Sequence, residues 1–132
     1  MKVILDVNVI VAAFAARGLC SEIFAVVISN HDLIISTQLL AEIKRTLEKK
    51  VGLKNPMLGD VLSYLSDVSH ILTPQPLEAK ACRDKSDLHV LGLALVAKAN
   101  LIVAGDKDLL VLKKFKQTKI LNPREFWTIA GR

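Results

Sequence analysis

Short, unbroken apolar runs, separated by helix-period segments, constrain this chain more than any other feature. Val3-Ile4-Leu5, Leu33-Ile34-Ile35 and Leu101-Ile102-Val103-Ala104 are continuous and do not alternate with polar residues. A strand with one wet face alternates; a strand covered on both faces does not. Ile71-Leu72 and Lys119-Ile120-Leu121 read as further strands. Helical spacing falls between them. Ile23, Phe24, Val27 and Ile28 place a helix over Ser21–Ser29 with Ser21 as its cap, and Ser36 caps one carrying Leu39, Leu40, Ile43 and Leu47. Gly52 and Pro56 end that helix. Met57–Val68 is amphipathic, Leu88–Lys98 is apolar and Ala-rich, and a short helix is expected near Leu109–Lys113. Asn122-Pro123-Arg124-Glu125 is a helix start, while two prolines in Thr73–Pro76 exclude helix and predict a turn. The alternation predicts an α/β fold: a short parallel central sheet between helical layers.

The 132 residues suit one domain, taken as 1–132. Hydrophobic residues make up 52% of them, enough for such a core, and 23% are charged, which excludes a disordered composition. No apolar run approaches the ~20 residues needed to cross a bilayer. Met1–Leu5 runs directly into Asp6, too short for the apolar part of a signal peptide. The expected setting is the cytoplasm, with no membrane association. Cys20 and Cys82 lack metal-ligand spacing and are expected to be reduced core residues. The net charge of +5 favours a polyanionic partner. Its basic residues gather at Lys44-Arg45-Lys49-Lys50-Lys54 and Lys113-Lys114-Lys116-Lys119, which solvated helix faces would also explain.

The acids have a pattern of their own. Asp6 follows the first strand, and Asp106 follows the Leu101–Ala104 strand across one glycine. Both fall at the carboxyl edge of the sheet, where ligands of open α/β folds bind. Glu42 lies one turn into the helix after the second strand, and Asp84 and Asp87 precede or open the Leu88–Lys98 helix. Each has an ordinary use as a cap, turn or border residue. Gathered in one place, carboxylates repel one another and raise one another's pKa unless a cation joins them. Oxygen ligands suit Mg²⁺ or Mn²⁺ better than zinc. Such an ion activates water and offsets charge on a phosphodiester.

In this order the residues resemble the PIN-domain family. Asp6-Val7-Asn8-Val9 resembles its opening motif, Asp-Thr-Asn-Val, and Glu42 within Leu39–Ile43 resembles its second acid. Cys82-Arg83-Asp84 with Asp87 resembles the third motif of one branch, and Gly105-Asp106-Lys107-Asp108-Leu109-Leu110 the fourth. Ile120–Phe126 is similar to the closing segment of that branch, so the likeness spans essentially the whole chain. That branch holds toxins of toxin–antitoxin pairs, similar to VapC-type proteins. The resemblance implies a three-layer α/β/α fold and an endoribonuclease dependent on Mg²⁺ or Mn²⁺. It also implies a homodimer and a small antitoxin partner. By the same carry-over Asp6, Glu42, Asp87 and Asp106 ligate metal or position the attacking water. Asp108 is an auxiliary ligand, Asn8 hydrogen-bonds within the cluster, and Asp84 is the substitute for Asp87. The chain departs from the family pattern at Val7 and Ala104, where hydroxyl residues are usual, and at Leu88, a position commonly polar.

Two other readings compete. A PIN-type module with weak or lost catalysis would bind RNA or a partner protein. A phosphorylated receiver domain would need a lysine after a late strand, and none is placed for it. No histidine is expected as a general base: His31 and His70 lie beside strands, and His89 is one helix face away from Asp87.

Overall fold

A computed structural model describes residues 1–82 and 84–130. Arg83, in the middle of the Cys82–Asp84 stretch, and residues 131–132 lie outside it. One six-stranded sheet organises the chain. Its strands are β1 (Lys2–Leu5), β2 (Asp32–Ile35), β3 (Ser69–Ile71), β4 (Leu101–Val103), β5 (Lys114–Phe115) and β6 (Thr118–Leu121). They lie in the order β3-β2-β1-β4-β6-β5, and every pairing is parallel except β5 with β6. Val3–Leu5, Leu33–Ile35 and Leu101–Val103 are all buried, so side chains from both faces of these strands are covered, as continuous apolar runs require.

The covering helices are α1 (Val7–Ala15), α2 (Leu19–Asn30), α3 (Thr37–Thr46), α4 (Met57–Val68), α5 (Leu88–Ala97), α6 (Lys107–Leu110) and α7 (Pro123–Ala130). The alternating α/β organisation is as expected, and several boundaries are sharp for identifiable reasons. The Ser36 hydroxyl accepts from Leu39 N at 3.0 Å and starts α3. That helix continues through a π-helical turn over Leu47–Val51 and stops at Gly52, whose φ of 79° only glycine adopts cheaply. Asn122 and Glu125 cap α7 reciprocally: Glu125 N donates to Asn122 Oδ1 and Asn122 N to Glu125 Oε1.

Three local expectations are corrected, and one helix is added. The added helix is α1, although Val7-Asn8-Val9-Ile10-Val11 is rich in β-formers. Burial of Val9, Ile10 and Val11 in the core outweighs that propensity. The helix α2 begins at Leu19, ahead of Ser21, whose hydroxyl instead accepts from Gly18 N at 3.0 Å. The short helix α6 starts at Lys107 because Asp106 caps it. Thr73–Pro76 is not a turn but part of an irregular strap that crosses α5, where Gln75 N donates to Gly92 O at 3.2 Å.

The second basic cluster is not a helix face either. Lys113, Lys114, Lys116 and Lys119 stand exposed on the β5–β6 hairpin, with Lys113 and Lys116 at positive φ where the chain reverses. Both cysteines are free thiols, Cys82 buried and Cys20 half-buried. No single helix among the described residues is long and apolar enough to cross a membrane.

Candidate metal centre

The connection after β1 runs to β2 on one side, while β4 pairs on the other side of β1. A crevice opens at the carboxyl ends of the strands where the order reverses in this way. Asp6 stands at that point and is only 3% exposed. Its Oδ1 accepts from Val9 N at 2.9 Å, which caps α1, and its Oδ2 accepts from Gly105 N at 3.0 Å. One carboxylate therefore ties the end of β1 to the end of β4. Burial raises its pKa, the Val9, Gly105 and Asp106 amides oppose that, and the Asp106 charge adds to the rise. Asp6→Ala would strand two backbone donors, each costing about 1–3 kcal/mol. The expected loss is about 2–4 kcal/mol in urea denaturation, with a smaller loss for Asp6→Asn, which keeps an acceptor for Val9 N. Equal stability of Asp6→Ala and the parent would refute the clamp.

Three other acids meet beside it. Asp84, Asp87 and Asp106 each offer a carboxylate oxygen, and the three atoms lie within 4.8 Å of one another. Asp106 caps α6, its Oδ1 accepting from Asp108 N at 2.7 Å. Asp84 Oδ1 accepts from the Ser86 hydroxyl at 2.7 Å and from Ser86 N at 3.0 Å, and these bonds hold its pKa below the ordinary value. Lys85–Asp87 forms a single 3₁₀ turn. In that geometry residues three apart eclipse, which brings Asp84 and Asp87 to one side.

Asp87 carries the strain of the cluster. Burial, then the Asp106 charge, a carboxyl–carboxyl hydrogen bond to Asp106 that needs the proton, and the charges of Asp84 and Asp6 push it up to about 7. Its Oδ2 is buried with no hydrogen-bond partner. Among the described residues, no lysine or arginine forms an ion pair with these three acids. A buried, unpartnered carboxylate oxygen among other carboxylates is the arrangement a hard divalent cation relieves. Mg²⁺ or Mn²⁺ fits this all-oxygen donor set; zinc, which prefers nitrogen and sulfur, fits it less well.

The remaining expected site residues are placed differently. Glu42 is not in the three-acid group. Its Oε1 lies 3.0 Å from Nε2 of His89, whose side chain is 7% exposed. A carboxylate only accepts, so the hydrogen of that bond sits on Nε2. The His89 Nδ1 is buried without a partner. His89, expected one helix face away from Asp87, is thus tied to Glu42 instead. Asp108 is half-buried on α6, and its carbonyl accepts from the Cys82 thiol at 3.8 Å. Asn8 is exposed on the first turn of α1 and, among the described residues, makes no side-chain hydrogen bond to the acids.

The spacing Asp84-Lys85-Ser86-Asp87 was the available signal for a shared site, had a 3₁₀ turn been assumed there. The Glu42–His89 pair joins helices 47 residues apart in sequence, and nothing local announces it.

Comparison with protein-family models matches residues 2–108 to a family described as PIN domain. The search of curated proteins gives no match.

Proposed function

The chain belongs to the PIN-domain family, and on that premise we propose that it is an endoribonuclease dependent on Mg²⁺ or Mn²⁺. The observation that carries this reading is the convergence of Asp84, Asp87 and Asp106, with a buried Asp87 oxygen that has no partner. These three residues would hold the metal. When bound, such an ion acidifies water and offsets charge on the phosphodiester being cut. The protein's own work is positional. Asp6 locks the ends of β1 and β4 together, which fixes where Asp106 stands. Asp106 and Asp84 have their Oδ1 atoms held by backbone amides, so their carboxylates are oriented before any ligand arrives. His89 fixes the direction of the Glu42 carboxylate. The exposed lysines of α3 and its π-helical turn, and of the β5–β6 hairpin, supply positive potential for RNA phosphates, so affinity should fall as salt rises.

Within this reading the chain acts in the cytoplasm as the toxin of a toxin–antitoxin pair, as a homodimer neutralised by a small antitoxin. The resemblance of its ordered motifs to VapC-type proteins supports that role. The alternative is a PIN module of weak or lost catalysis that binds RNA or a partner protein. Leu88, apolar where the family pattern is commonly polar, and Glu42, engaged by His89, favour it.

The deciding experiment is Mn²⁺ titration by calorimetry with an RNA cleavage assay on the same samples. The parent chain is expected to bind Mn²⁺ and cut RNA. Asp106→Asn is expected to lose binding and to cut on the order of a thousandfold more slowly, since a catalytic metal supplies several kcal/mol of transition-state stabilisation. RNA binding that survives EDTA, with no cleavage in Mn²⁺, would establish the inactive module instead.

A further inference from the structure

A groove adjoins the acid cluster on the β2–β3 side. It encloses about 460 Å³, within the range of small-ligand sites. The first turn of α3, with Thr37 and Gln38, forms one wall, and the strap around Gln75 forms the other. Lys85, Leu88 and His89 line it from the start of α5. Lys85 lies in the same 3₁₀ turn as Asp87, so the groove begins within one turn of chain of the acid cluster.

We propose that this groove receives one nucleotide of single-stranded RNA next to the phosphate that is cut, with Gln38 and Gln75 reading the edge of its base. This rests on the nuclease reading and extends it to how the RNA is held. The chemistry of the walls favours a base. Gln38 and Gln75 are exposed, and an amide offers a donor and an acceptor side by side, matching a base edge. Leu88 gives an apolar surface for the base, and Lys85 a cation for the neighbouring phosphate. The His89 side chain is more than nine-tenths buried, with an unpartnered Nδ1, at the point where α5 meets the groove. Among the described residues no Phe, Tyr or Trp lines the groove and the His89 ring is buried, so recognition there depends on base edges more than on stacking. An unstacked base in a single strand offers such edges, whereas a duplex does not.

The test uses the full chain and the double variant Gln38→Ala, Gln75→Ala. Removing the Gln75 side chain leaves its backbone bond to Gly92 in place. Binding of a fluorescein-labelled, unstructured RNA is followed by anisotropy in Ca²⁺. Cleavage of a randomised RNA pool in Mn²⁺ is followed by sequencing the product ends. The double variant is expected to bind RNA about tenfold more weakly, to lose base preference at one position beside the cut, and to keep the parent's Mn²⁺ affinity. If the parent binds RNA without cutting it and the variant binds more weakly, the groove stands and the nuclease reading falls. If the parent cuts RNA and the variant matches it in affinity and product ends, the groove falls and the nuclease reading stands. A parent that binds no RNA overturns both.

Discussion

In metal-free buffer at pH 8, Asp87→Asn is expected to melt about 4–7 °C above the parent chain while losing metal-dependent cleavage by on the order of a thousandfold. The gain follows from the sign of one shift. Asp87 titrates at about 7 in the folded protein and near 3.8 in the unfolded chain. The folded state therefore holds the proton to higher pH, and stability falls as pH climbs from about 4 through about 7. In a fully buried group that gap would be worth about 4 kcal/mol. Asp87 is only half-buried and partly screened by solvent, so about 1–2 kcal/mol remains. Asparagine carries no charge to repel Asp106, Asp84 and Asp6. The gain should accordingly disappear at pH 4, where the parent's carboxyl is protonated in the folded state. Added Mn²⁺ should raise the melting temperature of the parent and leave the variant where it is. A variant that is no more stable at pH 8, or that still binds Mn²⁺, would remove Asp87 from the metal site.

The same cluster separates what was legible in the sequence from what was not. Val3–Leu5, Leu33–Ile35 and Leu101–Val103 announce buried parallel strands because covering both faces leaves no polar alternation to blur the signal. Asp6 and Asp106 at the ends of two such runs then fall at the sheet's carboxyl edge with no further assumption. The β5 strand and the strap have no comparable signal: two residues, Lys114 and Phe115, are too few for a period, and the strap is held by a contact to a helix. Asp6 illustrates a different gap. Its place in the crevice is readable, but not that both its oxygens are taken by backbone amides. Tertiary partners decide whether an acid at a strand end is a ligand, a clamp or both. Glu42 and His89 are the extreme case, since each looks ordinary in its own helix and only packing of α3 near the start of α5 makes them a pair.

Gly92→Ala is expected to lower stability by about 1–3 kcal/mol and to weaken RNA binding in the groove by about tenfold. Gly92 lies inside α5, where alanine is ordinarily the better helix former by about 1 kcal/mol. Here a β-carbon would overlap the Gln75 carbonyl oxygen outright, and would stand 3.1 Å from its carbonyl carbon and 3.3 Å from its nitrogen. Those are backbone atoms, so no rotamer change relieves the clash; the strap itself must move away from the helix. Moving it breaks the Gln75 N to Gly92 O bond, worth about 1 kcal/mol, and adds an overpacking cost of about 1–3 kcal/mol, against the helix-propensity gain. The strap is also a wall of the groove, so its displacement should reach RNA binding without touching Asp84, Asp87 or Asp106. Gly59→Ala is the matched control. It lies in the first turn of α4, and its β-carbon would meet only the Asn55 side-chain oxygen at 3.2 Å; that oxygen accepts from Gly59 N at 3.0 Å and has to shift only by a few tenths of an ångström. Gly59→Ala is expected to fall within about 1 kcal/mol of the parent and to bind RNA unchanged. Mn²⁺ affinity should stay at the parent's value in both variants. Equal melting temperatures and equal RNA affinities for the two would mean that the strap is not seated on α5 as described, and that the groove it walls does not hold the substrate.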